Sequence, residues 1–134
     1  MRAPLPPVAL RLLMFTPPVV YSGVLWWFSS QPRMLGPEVD DKLAHVLAYA
    51  LLGALWTRAW WFTTRQSMNQ VAATSIALSA GYGVIDEVHQ SFVPGRTASV
   101  ADVLADGVGA ISGTLLLLAI YAATRAWAGR SGRE

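Results

Sequence analysis

Long apolar runs alternate with short polar segments along this chain, and the runs carry few charges. Their lengths approach the roughly 20 residues that an α-helix needs to cross about 30 Å of hydrocarbon. A soluble helix keeps a polar outer face, whereas "TLLLLAIY" and "VVYSGVLWWF" have none. The pattern predicts an all-α integral membrane bundle of four transmembrane helices, at roughly residues 10–31, 43–63, 68–89 and 99–124.

Two local features modify this picture. The first helix contains the pair Pro17-Pro18, which removes two backbone donors and predicts a kink. A cleaved signal peptide is the competing interpretation, but the run is long for one and no clear small-x-small site follows "WWFSSQPR". Gly109 and Gly113 form a G-x-x-x-G pair on the last helix. We expect this pair to pack within the monomer rather than to form a dimerisation face.

The composition supports a membrane location and narrows the function classes. The 134 residues are 54% hydrophobic and 13% charged, against about 25% charged in a typical soluble domain. The chain therefore reads as one domain over 1–134, with membrane lipids as partners and its oligomeric state left open. A net charge of +2 without a basic, aromatic-interleaved stripe argues against nucleic acid. The absence of cysteine excludes disulfides and thiolate sites.

The charges indicate an orientation. Four spans place both termini and the middle loop on one side, together with seven of the ten basic residues: Arg2, Arg11, Arg58, Arg65, Arg125, Arg130 and Arg133. The other side holds Arg33, Lys42 and Arg96. The positive-inside rule then predicts cytoplasmic termini. Seven of the eight acids fall toward the opposite, extracytoplasmic side: Glu38, Asp40, Asp41, Asp86, Glu87, Asp102 and Asp106. Acids contribute little to topology, so their clustering needs another cause, which a functional site at the outer face would supply.

The second helix begins with "DDKLAHVLAYALLG", a segment with several polar residues on one broad face. Asp41, His45 and Tyr49 lie at i, i+4 and i+8, and Lys42 lies beside them. Asp40 or Asp41 is also suited to capping the helix. Capping does not explain His45 and Tyr49, which lie one to two turns farther in.

The third helix ends in "DEVHQSFVPGR", where a Pro-Gly turn leads to Arg96 and the last helix. Its polar residues fall on two adjacent strips: Glu87 with Gln90 and Gly83, and Asp86 with His89.

Asp102 and Asp106 follow on the last helix, at i and i+4, where two ionised carboxylates repel each other. Each acid within a span also costs roughly 2.5–3.5 kcal/mol near the membrane centre, so something must compensate. Arg96, Lys42, and His45 or His89 in protonated form are the available cations. These physical considerations leave two interpretations open, a functional pocket and a structural ion-pair network.

Three blocks of the chain, within roughly residues 12–122, resemble the VanZ-like family of membrane proteins. "DKLAHVLAY" is similar to the family's D-K-x-x-H-x-x-x-Y signature, through Asp41, Lys42, His45 and Tyr49. "DEVHQSFVPGR" is similar to its D-E-x-x-Q-x-F-x-P-G-R block, through Asp86, Glu87, Gln90, Phe92, Pro94, Gly95 and Arg96. "SVADVLADGVGAISG" is similar to its D-x-x-x-N-x-x-G-x-x-x-G block, through Asp102, Gly109 and Gly113. The family usually has Asn where this chain has Asp106. The extra acid requires protonation, a cation or Arg96 to balance it.

The family's namesake is associated with resistance to teicoplanin-type glycopeptide antibiotics, and the resemblance implies no particular reaction. The first hypothesis is a polar extracytoplasmic pocket that binds or modifies a cell-envelope component. Tyr49, Gln90 and Asp102 would supply hydrogen bonds, and Lys42 and Arg96 would contact an anion. The full predicted set of ligand-binding residues is Asp41, Lys42, His45, Tyr49, Glu87, Gln90, Arg96, Asp102 and Asp106.

The second hypothesis is a membrane enzyme that acts on a lipid phosphate or a lipid-linked cell-wall precursor. His45 would act as base or nucleophile, and Glu87 or Asp102 as acid or base. A metal-dependent variant would use His45, Glu87, His89 and Asp102, but no metal-binding spacing supports it, so we expect neither metal nor cofactor. A transporter is a third hypothesis; the acids lie near one face and no inverted repeat is visible, which argues against it.

Overall fold

The computed structural model describes residues 6–32 and 41–131, which form four α-helices and no strand. They are α1 (Val8–Ser29), α2 (Asp41–Thr63), α3 (Met68–Gln90) and α4 (Val100–Ser131). The predicted all-α architecture and its four helices are confirmed. α4 continues beyond the predicted end at 124, and Arg130 in its last turn suits the negative end of the helix dipole. Five of the charged residues used above lie outside the described residues: Arg2, Arg33, Glu38, Asp40 and Arg133.

Local sequence signals explain two of the helix boundaries. Ser67 begins α3 with a capping box: its hydroxyl accepts a bond from the Gln70 amide, and the Gln70 side chain accepts one from the Ser67 amide. The turn between α3 and α4 contains Gly95 at φ 77°, a conformation that other residues rarely adopt. Pro17 and Pro18 lie inside α1, which runs unbroken around them, and the predicted kink stays a prediction.

α2 occupies the centre of the bundle and packs against each of the other three helices. Its most extensive contact is with α4, where Gly109 faces the Val46 backbone and Gly113 faces the Ala50 backbone. A Cβ atom at either glycine would overlap backbone atoms of α2. The G-x-x-x-G pair therefore packs within the chain, as predicted, and allows α2 and α4 to approach closely.

The bundle has polar residues inside and large apolar residues outside. The buried side chains include Thr57, Thr63, Ser75, Ser79, Asp86, Glu87, Gln90, Asp106 and Thr114. Leu43, Leu47 and Leu51 of α2 and Val84 and Val88 of α3 are exposed, which is the reverse of a soluble protein's distribution. α1 and α4 are long and apolar enough to cross a membrane, whereas α2 and α3 contain more of the polar residues that face inward. These features indicate a membrane protein.

Candidate functional site

Polar side chains from α2, α3 and α4 meet near the end of the bundle that carries the α3–α4 turn. Asp86 lies at the centre of one group and is only 4% exposed. Its Oδ2 accepts hydrogen bonds from Tyr49 Oη at 3.3 Å and from Gln90 Nε2 at 3.2 Å. Gln90 reaches Asp86 because residues four apart lie on one helix face. Asp86 thus joins α2 to α3 through its carboxylate.

A second group pairs His45 of α2 with Asp106 of α4. His45 Nδ1 lies 2.8 Å from Asp106 Oδ1, and the Asp106 side chain is completely buried. Gly83 on α3 provides the space for it, because a Cβ at that position would lie 2.7 Å from Asp106 Oδ2. His45 is thus the partner of the Asp106 carboxylate. Arg96, which the sequence also allowed, does not balance Asp106 in this structure.

Glu87 connects α3 to the start of α4. Its side chain is 3% exposed, and its Oε2 accepts a bond from the Ser99 amide at 2.8 Å. The Ser99 hydroxyl in turn accepts a bond from the Asp102 amide at 3.4 Å. These bonds satisfy amides at the N-terminus of α4, where the helix dipole also favours a negative charge. One oxygen of Glu87 is therefore held in place by the backbone.

Three carboxylate oxygens of this cluster have no hydrogen-bond partner among the described residues. They are Asp86 Oδ1, Glu87 Oε1 and Asp106 Oδ2, and all are buried. A buried carboxylate oxygen without a hydrogen-bond partner is unfavourable. Ligand atoms of His45, Glu87 and Asp106 all lie within 4.8 Å of one another. The cluster thus has unused acceptor capacity inside the bundle.

A cavity of about 130 Å³ lies beside this cluster, between the end of α1, the start of α2 and the end of α3. One part of its wall is apolar, through Leu25, Phe28, Ala44 and Ala48. The other part is polar, through Ser29, His45, Tyr49, Asp86, Gln90 and Arg96. Since Nδ1 of His45 is engaged with Asp106, Nε2 is the ring nitrogen left for the cavity. The cavity has room for a small polar group and an apolar attachment.

Arg96 joins the α3–α4 turn to the end of α1. Its Nε and Nη2 donate to the carbonyl oxygens of Gln31 and Phe28 at 3.2 and 3.0 Å, and its Nη1 donates to Gln90 Oε1 at 3.4 Å. Guanidinium has five N–H donors, so these bonds leave capacity for an anion in the cavity. All of its bonds among the described residues go to neutral oxygens. Because two of these oxygens lie at the end of α1, the position of α1 depends partly on this side chain.

The other residues predicted from the sequence are more peripheral. Lys42 is exposed, Asp102 is half-buried, and Asp41 is the first residue of α2, with a side chain outside the described residues. His89 lies on the α1 side, where its ring stacks on Trp26 at 3.8 Å and its Nε2 lies 2.9 Å from Ser30 Oγ.

The metal set that includes His89 and Asp102 is therefore not assembled, and Asp106 joins His45 and Glu87 instead. Asp86 was missing from the predicted ligand-binding residues, although its four-residue spacing from Gln90 signalled the contact.

Comparisons with known proteins agree with the sequence blocks described above. A family model described as VanZ/LLP1 matches residues 8–121, which include all of α1, α2 and α3 and most of α4. The comparisons with curated proteins and with solved structures give no match.

Proposed function

The chain belongs to the VanZ/LLP1 family, and from this premise we propose that it is a four-span membrane protein that binds or modifies a cell-envelope component. The polar pocket around Asp86 and His45 is the binding site in this proposal. It lies at the extracytoplasmic face, and both termini are cytoplasmic. Resistance to teicoplanin-type antibiotics is the proposed consequence of occupying or altering that component.

The inverted distribution of polar residues supports four spans. α2 and α3 bury their polar side chains against each other and against α4, and they turn Leu43, Leu47, Leu51, Leu78, Val84, Ile85 and Val88 outward. A helix whose polar residues are satisfied inside a bundle crosses a membrane despite a modest mean hydropathy. The positive-inside count supports cytoplasmic termini.

One observation carries the functional part: buried ionisable groups border a cavity that also has an apolar wall. Ionisable residues within a membrane bundle are costly and mark functional sites by default. Arg96 and Gln90 suit a phosphate or another polar head group, and Leu25 and Phe28 suit the start of an apolar chain. An amphiphile such as a lipid-linked cell-wall precursor combines both.

A second candidate function is catalysis on a lipid phosphate or a lipid-linked precursor. The observation that favours it is the bond from His45 Nδ1 to the buried carboxylate of Asp106. A carboxylate in this position orients an imidazole and raises its capacity to accept a proton through the other nitrogen. That nitrogen, Nε2, is the one left for the cavity. In this scheme Arg96 neutralises the charge that develops on the phosphoryl group.

The proposed topology predicts opposite labelling of two loops. The chain has no cysteine, so single cysteines can be introduced without removing others. Phe92→Cys, in the exposed α3–α4 turn, should react with a membrane-impermeant maleimide in intact cells. Gln66→Cys, between α2 and α3, should react only after permeabilisation. Labelling of Gln66→Cys in intact cells, or protection of Phe92→Cys there, would contradict the orientation.

The proposed binding site predicts loss of function in two site variants. In a teicoplanin-susceptible host, with each variant expressed at equal membrane levels, the wild-type chain should raise the minimal inhibitory concentration at least about fourfold. Asp86→Asn and Glu87→Gln should return it to the vector level, because they change the hydrogen bonding and charge of the buried cluster. His89→Gln is the control, since His89 lies outside the cavity.

His45→Gln distinguishes the two candidate functions in the same assay. Glutamine keeps a donor for Asp106, so a binding protein retains its effect, whereas an enzyme that uses the imidazole loses it. An unchanged inhibitory concentration for the wild-type chain would contradict the resistance part of the proposal. Equal losses in His89→Gln and Asp86→Asn would contradict the assignment of the site.

A further inference from the structure

We propose that His45, Glu87 and Asp106 form a binding site for one divalent transition-metal ion, of the class of Zn²⁺ or Mn²⁺. The site lies inside the bundle, where α2, α3 and α4 meet. It is independent of which envelope component the protein binds, and a direct measurement of the ion tests it.

The geometry supplies one ligand from each of three helices. His45 comes from α2, Glu87 from α3 and Asp106 from α4, and their ligand atoms lie within 4.8 Å of one another. Nitrogen and carboxylate ligands bind such ions at about 2.0–2.2 Å, so side-chain shifts of about 1 Å bring the set to coordination distance. One imidazole with two carboxylates suits Zn²⁺ or Mn²⁺ better than Ca²⁺ or Mg²⁺, which take oxygen ligands.

Charge also favours a cation at this position. Asp86, Glu87 and Asp106 are buried within one bundle end, while a protonated His45 supplies at most one positive charge. Within the described part of the chain, the ion pair of His45 with Asp106 is the only one these three carboxylates make. Arg96 donates to neutral oxygens instead. A divalent ion compensates the excess negative charge, and His45 binds it as a neutral imidazole, with any proton it carried released to solvent.

Two buried oxygens provide an observation independent of the clustering. Glu87 Oε1 and Asp106 Oδ2 have no partner among the described residues, although Glu87 is 3% exposed and Asp106 is 0% exposed. Carboxylate oxygens are rarely left this way, because burial removes their water without replacing it. Coordination of an ion satisfies both oxygens at once.

Neighbouring residues hold two of the proposed ligands in place, as residues that contact the ligands do in known metal sites. The Ser99 amide binds Glu87 Oε2 and so fixes that carboxylate with its other oxygen unused. Gly83 leaves space for the Asp106 carboxylate, which a Cβ there would contact at 2.7 Å. Such supporting contacts orient ligands and contribute to metal affinity.

The test is equilibrium dialysis of the full-length, tag-free chain in detergent, after stripping with a chelator, against Zn²⁺ or Mn²⁺ alone. The chain has no cysteine and only two histidines, so few competing ligands exist. We expect about one ion per chain by elemental mass spectrometry. His45→Gln, Glu87→Gln and Asp106→Asn should each weaken binding by more than about 100-fold, because loss of even a group that only supports a ligand costs about 10–100-fold at known sites.

His89→Gln is the matched control for the histidine ligand, because its ring lies on the α1 side, and this variant should bind the ion as the wild-type chain does. A chain without a stoichiometric ion, or ligand variants that bind like this control, would overturn the proposal. Circular dichroism identifies any variant that does not fold. If Asp106→Asn does not fold, the ion binding of Glu87→Gln tests the carboxylate ligands instead. Stoichiometric binding in a chain that leaves teicoplanin susceptibility unchanged would contradict the resistance part of the proposed function and leave this site standing.

Discussion

Replacing His45 with leucine is expected to lower the free energy of unfolding of the metal-free chain by about 3–5 kcal/mol, the cost of removing one partner of a buried ion pair. The cause is the Asp106 carboxylate, which is completely buried and bonded to His45 at 2.8 Å. Without the imidazole, that carboxylate stays unpaired inside the bundle or takes up a proton at a further cost. The measurement is unfolding in detergent with a chelator present, followed by far-ultraviolet circular dichroism.

The double variant His45→Leu with Asp106→Leu separates the pair from simple packing. Leucine branches at the same carbon as aspartate but is larger, and replacing both charged partners by apolar groups of similar volume is often neutral or stabilising. We therefore expect the free energy of unfolding of the double variant to exceed that of His45→Leu alone by at least about 2 kcal/mol. This difference reports the coupling energy between the two positions. If the two substitutions lower the free energy of unfolding additively, or if His45→Leu lowers it by less than about 1 kcal/mol, His45 and Asp106 do not form a buried ion pair.

Adding a single methyl group at Gly113 is expected to destabilise the bundle by about 3 kcal/mol, the upper end of the usual cost of overpacking. A Cβ at this position would lie 2.5 Å from the Ala50 carbonyl carbon and 2.8 Å from its Cα. These are backbone atoms of α2, so no side chain can rotate away, and the two central helices must separate. The measurement for Gly113→Ala is the same unfolding experiment.

Gly107→Ala is the matched control for that change. Gly107 lies on the same helix, and a Cβ there meets nothing within 4 Å. Alanine stabilises a helix relative to glycine by roughly 0.5–1 kcal/mol, so this variant should unfold no earlier than the wild-type chain. Equal behaviour of Gly107→Ala and Gly113→Ala would contradict the close packing of α2 and α4.

The helices were predictable because each apolar run is long, and local signals mark some of the boundaries. The third helix shows this best: a capping box at Ser67 begins it, and the "VPGR" turn follows it. The end of α4 was less predictable, since "RAWAGR" is polar enough to end a membrane span and yet continues the helix. Hydropathy marks where an apolar run stops, whereas backbone hydrogen bonding decides where a helix stops.

The candidate site was only partly predictable. Helical spacing correctly placed His45 and Tyr49 on an inward-facing side of α2, and it indicated that acids of α3 and α4 lie near them. Spacing put Asp86 with His89, but Asp86 turns inward to Tyr49 and Gln90, while His89 turns to α1. Two neighbouring strips of one helix can face different helices, and the sequence of that helix does not say which.

The sequence by itself determined the four helices, the polar end of three of them and the family of the chain, since these depend on local composition and on spacing within single segments. Only the tertiary structure decided that His45 bonds Asp106, that Arg96 binds the end of α1, and that three buried carboxylate oxygens have no hydrogen-bond partner among the described residues. Those outcomes depend on how far each helix is rotated against its neighbours. Close backbone contacts such as Gly113 with Ala50 set that rotation, and such contacts join residues far apart in the sequence.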